Sequence, residues 1–156
     1  MERKLHNFEQ VKDVLDYGKE LHAQLSVLYT SLGRASEQAR VKMLLDYLSR
    51  HERNRRQALQ RFEQDSQTGS LDVWLQYAPS PEIERLLADC VIRPDMSVDE
   101  VARIALAFDD ALIEIYREAA REAEDTRAKE LFENLADQEE KEKQRFVRDA
   151  EWLQDL

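Results

Sequence analysis

Helix-breaking residues are scarce in this chain, and their placement is the feature that most constrains its fold. Three glycines and three prolines are all that its 156 residues contain, and every proline falls between Pro79 and Pro94. Long stretches before about residue 66 and after about residue 96 are therefore free of proline. Because turns and strand ends rely on these two residue types, their scarcity favours helices over a β-rich or doubly wound fold. We predict an all-α protein.

Apolar residues spaced alternately by three and four predict four long helices. The first stripe runs from Val11 to Leu32, and the second runs from Val41 to Phe62 but turns polar in its middle. The third helix opens at Ser97. A polar stretch over residues 122–126 separates the third helix from the fourth. Since short turns join the first helix to the second and the third to the fourth, each pair should form an antiparallel hairpin.

Local signals set the expected helix ends. Asn7 should cap the first helix, and Gly33 should stop it. Ser36 should open the second helix as its N-cap. Ser97 and Glu100 have the spacing of a capping box, in which each residue satisfies a backbone N–H of the other.

Residues 66–96 connect the two predicted hairpins. They hold all the prolines and one short predicted helix over residues 81–91. This connection is too long for a tight turn, but it can cross the bundle from one end to the other, which makes the second and third long helices parallel. We therefore expect a single domain made of a hairpin over residues 7–65, a crossover over residues 66–96 and a hairpin over residues 97–156.

Charge and cysteine content exclude several classes of function. The net charge is −10, so the chain is a poor general binder of nucleic acid or of an anionic membrane. A single cysteine, Cys90, excludes an intramolecular disulfide and a CxxC redox motif. The first residues lack the apolar core of a signal peptide, and no apolar run is long enough to span a bilayer. We expect a cytoplasmic protein without a nucleic-acid or membrane partner.

The two predicted hairpins align on each other without a gap when 87 is added to each position of the first. Tyr29 then pairs with Tyr116, and Glu52 pairs with Glu139. Four charged residues near the inter-helix turn also have identical partners: Arg34/Arg121, Glu37/Glu124, Arg40/Arg127 and Lys42/Lys129. This pattern indicates a duplicated helical hairpin. The alternative is that two unrelated amphipathic hairpins match on their leucines.

A duplicated hairpin with a long crossover resembles the ferritin-like di-iron bundles. The segments LLDYLSRHERNRRQALQRF and LFENLADQEEKEKQRF resemble the second and fourth long helices of rubrerythrin-type proteins. In that family each of these helices carries a Glu-x-x-His motif. The first and third helices each carry a glutamate seven residues before a tyrosine. The resemblance covers most of the chain outside the crossover, and it implies a ferritin-like four-helix bundle.

The family's metal-binding motif is only partly present in this sequence. Glu52 and Glu139 match the glutamates that open the two Glu-x-x-His motifs. Arg55 and Glu142 stand where the resemblance places histidines. On the first and third helices, the expected glutamates are replaced by His22 and Asp109. The resemblance therefore implies a degenerate di-iron motif.

Helical spacing places the same positions near one another at mid-height of the bundle. The six side chains are His22, Glu52, Arg55, Asp109, Glu139 and Glu142. If all were interior, their carboxylates would outnumber their cations, and such a surplus cannot stay buried uncompensated. A metal ion could balance the charge, some carboxylates could hold protons, or some side chains could face solvent while Arg55 pairs with a carboxylate.

Two functions follow from these alternatives. The first is a non-enzymatic interaction or regulatory protein, forming a homodimer or binding another protein partner, with an Arg–carboxylate network in place of the metal centre. The second is a metal-binding oxidoreductase or iron-handling protein with a non-standard site for one Fe, Mn or Zn ion. Its candidate ligands are His22, Glu52, Asp109, Glu139 and Glu142, with Arg55 in a further ligand position.

Overall fold

The computed structural model describes residues 10–65, 82–90 and 93–154. Within these ranges the chain forms helices and no strands. The helices are α1 (Val11–Ala35), α2 (Ala39–Asp65), α3 (Glu82–Asp89), α4 (Val98–Glu122) and α5 (Thr126–Gln154). The predicted all-α class is confirmed.

The long helices form a four-helix bundle of two antiparallel hairpins. Helix α1 packs along α2, and α4 packs along α5. Helix α2 also contacts both α4 and α5, and these contacts hold the two hairpins together. Helix α3 belongs to the crossover and packs on α4. The architecture predicted from the breaker placement and the apolar spacing is thus confirmed, with α3 near the position expected for the short crossover helix.

The helix ends agree with the sequence signals only in part. The capping box that opens α4 is confirmed, since the Glu100 N–H donates to Ser97 Oγ over 3.1 Å. Gly33 does not stop α1, which continues to Ala35. Ser36 closes that helix, because its backbone N–H donates to the carbonyl of Leu32 over 3.0 Å. Ser36 therefore does not open α2, which begins at Ala39.

The first helix begins within the described residues. Gln10 is the N-cap of α1, and its backbone N–H donates to Asp13 Oδ2 over 2.8 Å. The negative side chain suits the first turn, where the backbone N–H groups have no partner inside the helix. Asn7, the cap expected from the sequence, lies outside the described residues.

The offset of 87 also relates the helix bounds. Adding it to Val11 and Ala35 gives Val98 and Glu122, which are the bounds of α4. Adding it to Ala39, the first residue of α2, gives Thr126, the first residue of α5. Helices α1 and α4 therefore share a length of 25 residues, whereas α5 has 29 residues and α2 has 27. A common origin by duplication remains a prediction.

The interior of the bundle is apolar except at mid-height. Its largest fully buried side chains include five aromatic rings, those of Tyr29, Phe108, Tyr116, Phe132 and Phe146. Charged side chains are buried among these residues on three of the four long helices. None of the described helices is both long and apolar enough to span a membrane.

A buried charge cluster as the candidate functional site

Four ionisable side chains from three helices meet inside the bundle. His22 comes from α1, Glu52 and Arg55 come from α2, and Glu139 comes from α5. Their exposed fractions are 2%, 2%, 9% and 3%. We call these four residues the buried cluster. Charged groups so far from water must be paired, since desolvation of an unpaired ion is very costly.

His22 bridges the two glutamates of the cluster. Its Nδ1 shares a hydrogen bond with Glu52 Oε2. Its Nε2 lies 3.5 Å from Glu139 Oε1. The imidazole thus has a carboxylate beside each ring nitrogen, and these carboxylates come from positions related by the offset of 87.

Arg55 pairs with Glu139 across the interface between the hairpins. Its Nη2 and Nε both donate to Glu139 Oε1, over 2.8 and 3.2 Å. A guanidinium remains protonated under all ordinary conditions, so this hydrogen-bonded pair is an ion pair whenever Glu139 is ionised. The pair occupies the position where the family resemblance implied a histidine ligand.

The pKa values of Glu139 and His22 favour the charged forms of these two side chains. Burial by itself raises the pKa of Glu139, but the neighbouring His22 and Arg55 lower it to about 2. Burial lowers the pKa of His22, yet the neighbouring Glu52 and Glu139 carboxylates outweigh it and raise that pKa to about 10. At neutral pH, His22 and Glu139 are therefore oppositely charged.

Asp109, on α4, lies next to the cluster without joining its hydrogen bonds. Burial raises the pKa of this carboxyl well above its ordinary value, and the negative charges of Glu52 and Glu139 raise it further. The protonated form of Asp109 is therefore favoured. Within the buried cluster, the cations His22 and Arg55 face the carboxylates of Glu52 and Glu139.

Glu142 makes no hydrogen bond or ion pair with the four residues of the cluster, although it is close enough to Arg55 to interact with its charge. Its side chain is 25% exposed, and its Oε2 lies 4.0 Å from His51 Nδ1. Its Oε1 lies 3.7 Å from Arg145 Nη1. Of the six side chains that the spacing brought together, the structure unites four in hydrogen bonds or ion pairs, places Asp109 beside them and leaves Glu142 at the surface.

Two tyrosines flank the cluster, and the sequence did not predict a role for them. Tyr29 and Tyr116 are fully buried, and neither hydroxyl has a hydrogen-bond partner among the described residues. Burial raises the pKa of both, and the nearest acids add to this effect: Glu52 beside Tyr29 and Glu139 beside Tyr116. The signal that could have found them is the offset of 87, which relates the two tyrosines as it relates the two glutamates.

The closeness of these side chains does not by itself make a metal site. Across residues 10–65, 82–90 and 93–154, no three histidine, cysteine, aspartate or glutamate side chains are arranged as a group that could hold a metal ion. The chemistry that the described arrangement itself supports is ion pairing.

A bundle of two hairpins, with carboxylates and a histidine meeting at mid-height, defines a ferritin-like protein. The family model for rubrerythrin matches residues 13–149, so the chain belongs to the rubrerythrin family. A solved structure from Thermotoga maritima, named as a ferritin-like diiron-carboxylate protein, is similar with a TM-score of 0.60. The two share 20% identity, and the alignment covers 92% of this chain and 95% of the other. No curated protein matches the chain.

Proposed function

We propose that this chain is a ferritin-like protein in which an Arg–carboxylate–His network replaces the metal centre. It acts as a non-enzymatic interaction or regulatory protein. The single observation that carries this proposal is the ion pair between Arg55 and Glu139, buried at a ligand position of the family. A homodimer or another protein partner belongs to the proposal, as does a cytoplasmic location.

The donor set supports this proposal better than it supports a di-iron centre. Arg55 has no lone pair to offer a metal, and its charge already neutralises Glu139. His22 holds a proton at neutral pH because its pKa is raised to about 10, and a protonated imidazole is not a ligand. Glu142, the remaining carboxylate of the motif, lies at the surface beside His51 and Arg145. Two metal ions would need ligands that these side chains do not offer.

A second candidate is a metal-binding oxidoreductase or iron-handling protein with a site for one Fe, Mn or Zn ion. The observation that favours it is that three buried polar atoms at the cluster, His22 Nε2, Tyr29 Oη and Tyr116 Oη, have no hydrogen-bond partner among the described residues. Buried polar groups are normally satisfied, so unpartnered atoms beside carboxylates are compatible with a bound ion. His22, Glu52, Asp109 and Glu139 would then be the ligands, with Glu142 joining only if its side chain turned inward.

Metal analysis separates the two candidates. The protein is incubated with Fe(II), Mn(II) or Zn(II), desalted and measured by elemental analysis. We expect no stoichiometric metal, because His22 and Arg55 already balance the two carboxylates. The matched control is the double variant Arg55→His with Glu142→His, which restores both Glu-x-x-His motifs and should bind more metal than the natural chain. Stoichiometric metal in the natural chain, lost in Glu52→Ala and Glu139→Ala variants, would establish the second candidate instead.

Exposed apolar side chains support the proposed interaction role. Met43 on α2 and Trp152 on α5 are 54% and 64% exposed, and they line the same shallow groove. Large apolar side chains that are exposed close together often mark a contact surface. Multi-angle light scattering of the purified protein tests for a homodimer, whose mass would be twice the 18.4 kDa of one chain.

A further inference from the structure

A second polar feature lies outside the buried cluster, in a groove between α2 and α5. The groove has a volume of about 550 Å³, and residues of both helices line it. Four arginines contribute to its walls: Arg50, Arg55, Arg61 and Arg145. We call this the arginine groove. A concentration of guanidinium groups is unexpected in a chain whose net charge is −10.

The acids of the arginine groove do not cancel its arginines. Glu142 and Asp149 are the two carboxylates among its lining residues. Asp149 accepts a hydrogen bond from the Tyr47 hydroxyl over 3.0 Å. Because Glu139 already neutralises Arg55, the other three arginines of the lining face these two acids, which leaves an excess of one positive charge. Burial lowers the pKa of His51, which disfavours a charge on that ring.

Three of the arginines are available to a ligand at the surface. Arg61 makes no ion pair with any residue that the structure describes. Arg50 and Arg145 pair with Asp46 and Glu142 over 3.1 and 3.7 Å, and both arginine side chains are more than half exposed. Exposed ion pairs contribute little free energy, so an incoming anion can replace them at small cost.

Arg55 connects the arginine groove to the buried cluster. It uses Nε and Nη2 to hold Glu139 inside the bundle, while its side chain also forms part of the groove wall. The groove wall therefore includes an arginine whose position is fixed by an interior ion pair. A preorganised donor loses less conformational entropy on binding than a free surface arginine does.

We propose that the arginine groove binds a small ligand that carries two or more anionic groups, either phosphates or carboxylates. Guanidinium groups pair with both kinds of oxyanion through parallel hydrogen bonds. Arg50 and Arg61 are eleven positions apart on α2, a rise of roughly 16 Å, so one isolated anion cannot contact the whole set. The inference is independent of whether the buried cluster holds a metal.

Calorimetric titration of the full chain with tripolyphosphate and with citrate, at physiological ionic strength, tests this proposal. We expect saturable binding of at least one probe with a Kd below about 1 mM. The probe that binds more tightly identifies the ligand as a phosphate or a carboxylate compound. Binding should also raise the melting temperature in proportion to probe concentration, because the ligand favours the folded state.

Two double variants with the same change in net charge show whether binding is local. Arg61→Gln with Arg145→Gln should weaken binding of the tighter probe by about tenfold or more, since each arginine makes charge-assisted hydrogen bonds. Arg103→Gln with Arg127→Gln removes two exposed arginines outside the groove and should change the Kd less than about twofold. The proposal is overturned if neither probe binds saturably, or if both double variants weaken binding equally.

Discussion

Arg55 is the residue on which the interior charge balance depends. It is 9% exposed and donates twice to one oxygen of Glu139. Removing it leaves Glu139 buried with only His22 to compensate the negative charge. The loss is larger than the net value of the pair itself, because the desolvation cost of the remaining carboxylate is no longer offset.

We therefore expect Arg55→Ala to lower the free energy of unfolding by about 3–5 kcal/mol, measured by urea denaturation at pH 7. Arg53→Ala is the matched control, because Arg53 is an exposed arginine on the same helix. Its effect should stay within about 0.5 kcal/mol. Similar effects of the two substitutions would show that Arg55 is not in a buried ion pair.

His22 should make the stability of the fold depend on pH. Its pKa is raised from 6.5 to about 10 in the folded protein. A raised pKa means that the protonated histidine stabilises the fold fully below pH 6.5, and that this contribution is lost as the pH rises towards 10. Asp109, whose pKa is also raised, contributes in the same direction, since ionising it in the interior is unfavourable.

The free energy of unfolding should thus fall between pH 6.5 and 9, by up to about 1.4 kcal/mol per pH unit from His22 alone. Urea denaturation across this range measures the slope, and His22→Gln should flatten it. His51→Gln serves as the control, because the lowered pKa of His51 keeps that ring neutral throughout the range. An unchanged slope in His22→Gln would contradict the proton assigned to His22.

At the scale of single helices, two glycines of α1 have opposite roles. A Cβ at Gly18 would lie 2.5 Å from Tyr116 Oη and 3.1 Å from Leu59 Cδ1. A Cβ at Gly33 would have one neighbour, Leu45 Cβ, at an ordinary 3.7 Å. Gly18 therefore permits the close approach of α1 to a buried tyrosine, whereas Gly33 only weakens the helix.

Alanine substitutions at the two glycines should change the stability of the fold in opposite directions. We expect Gly18→Ala to destabilise the fold by about 1–3 kcal/mol through overpacking. Gly33→Ala should stabilise it by about 0.5–1 kcal/mol, because alanine restricts the unfolded chain and favours helix. Thermal unfolding of both variants measures the two shifts, and a stabilised Gly18→Ala protein would refute the close contact.

The helices themselves could be predicted from the sequence because apolar spacing and breaker placement report directly on which residues are interior. Their ends could not be predicted as well. Glycine at position 33 needs no left-handed conformation here, and α1 simply continues through it to Ala35. Ser36 has the side chain of an N-cap, but its N–H completes the last turn of α1. A helix that ends one or two residues earlier or later differs little in free energy, so its exact end is hard to predict.

At the scale of the whole molecule, the helical spacing predicted most of the side chains of the site. It did not predict which of them pair inside the bundle and which face the groove. Glu139 and Glu142 are three residues apart, as are Glu52 and Arg55. Three residues of an α-helix fall about 60° short of a full turn, so the two side chains of each pair point in directions about 60° apart. The long arginine side chain reaches back over that rotation to Glu139. The shorter glutamate does not, and Glu142 lies in the arginine groove instead. A helical wheel shows the direction of each side chain but not its length or its partners, so it could not predict that Glu142 lies near His51 and Arg145.

The two halves have nearly equivalent helix bounds, but they contribute different charges to the interior of the bundle. Both cations of the buried cluster, His22 and Arg55, come from the first hairpin, and the equivalent positions in the second hairpin are Asp109 and Glu142. Two copies of the second hairpin would bring only carboxyl groups together at this level, since its residues at these positions are Asp109, Glu139 and Glu142. The second hairpin therefore depends on the first for the cations that balance its buried Glu139.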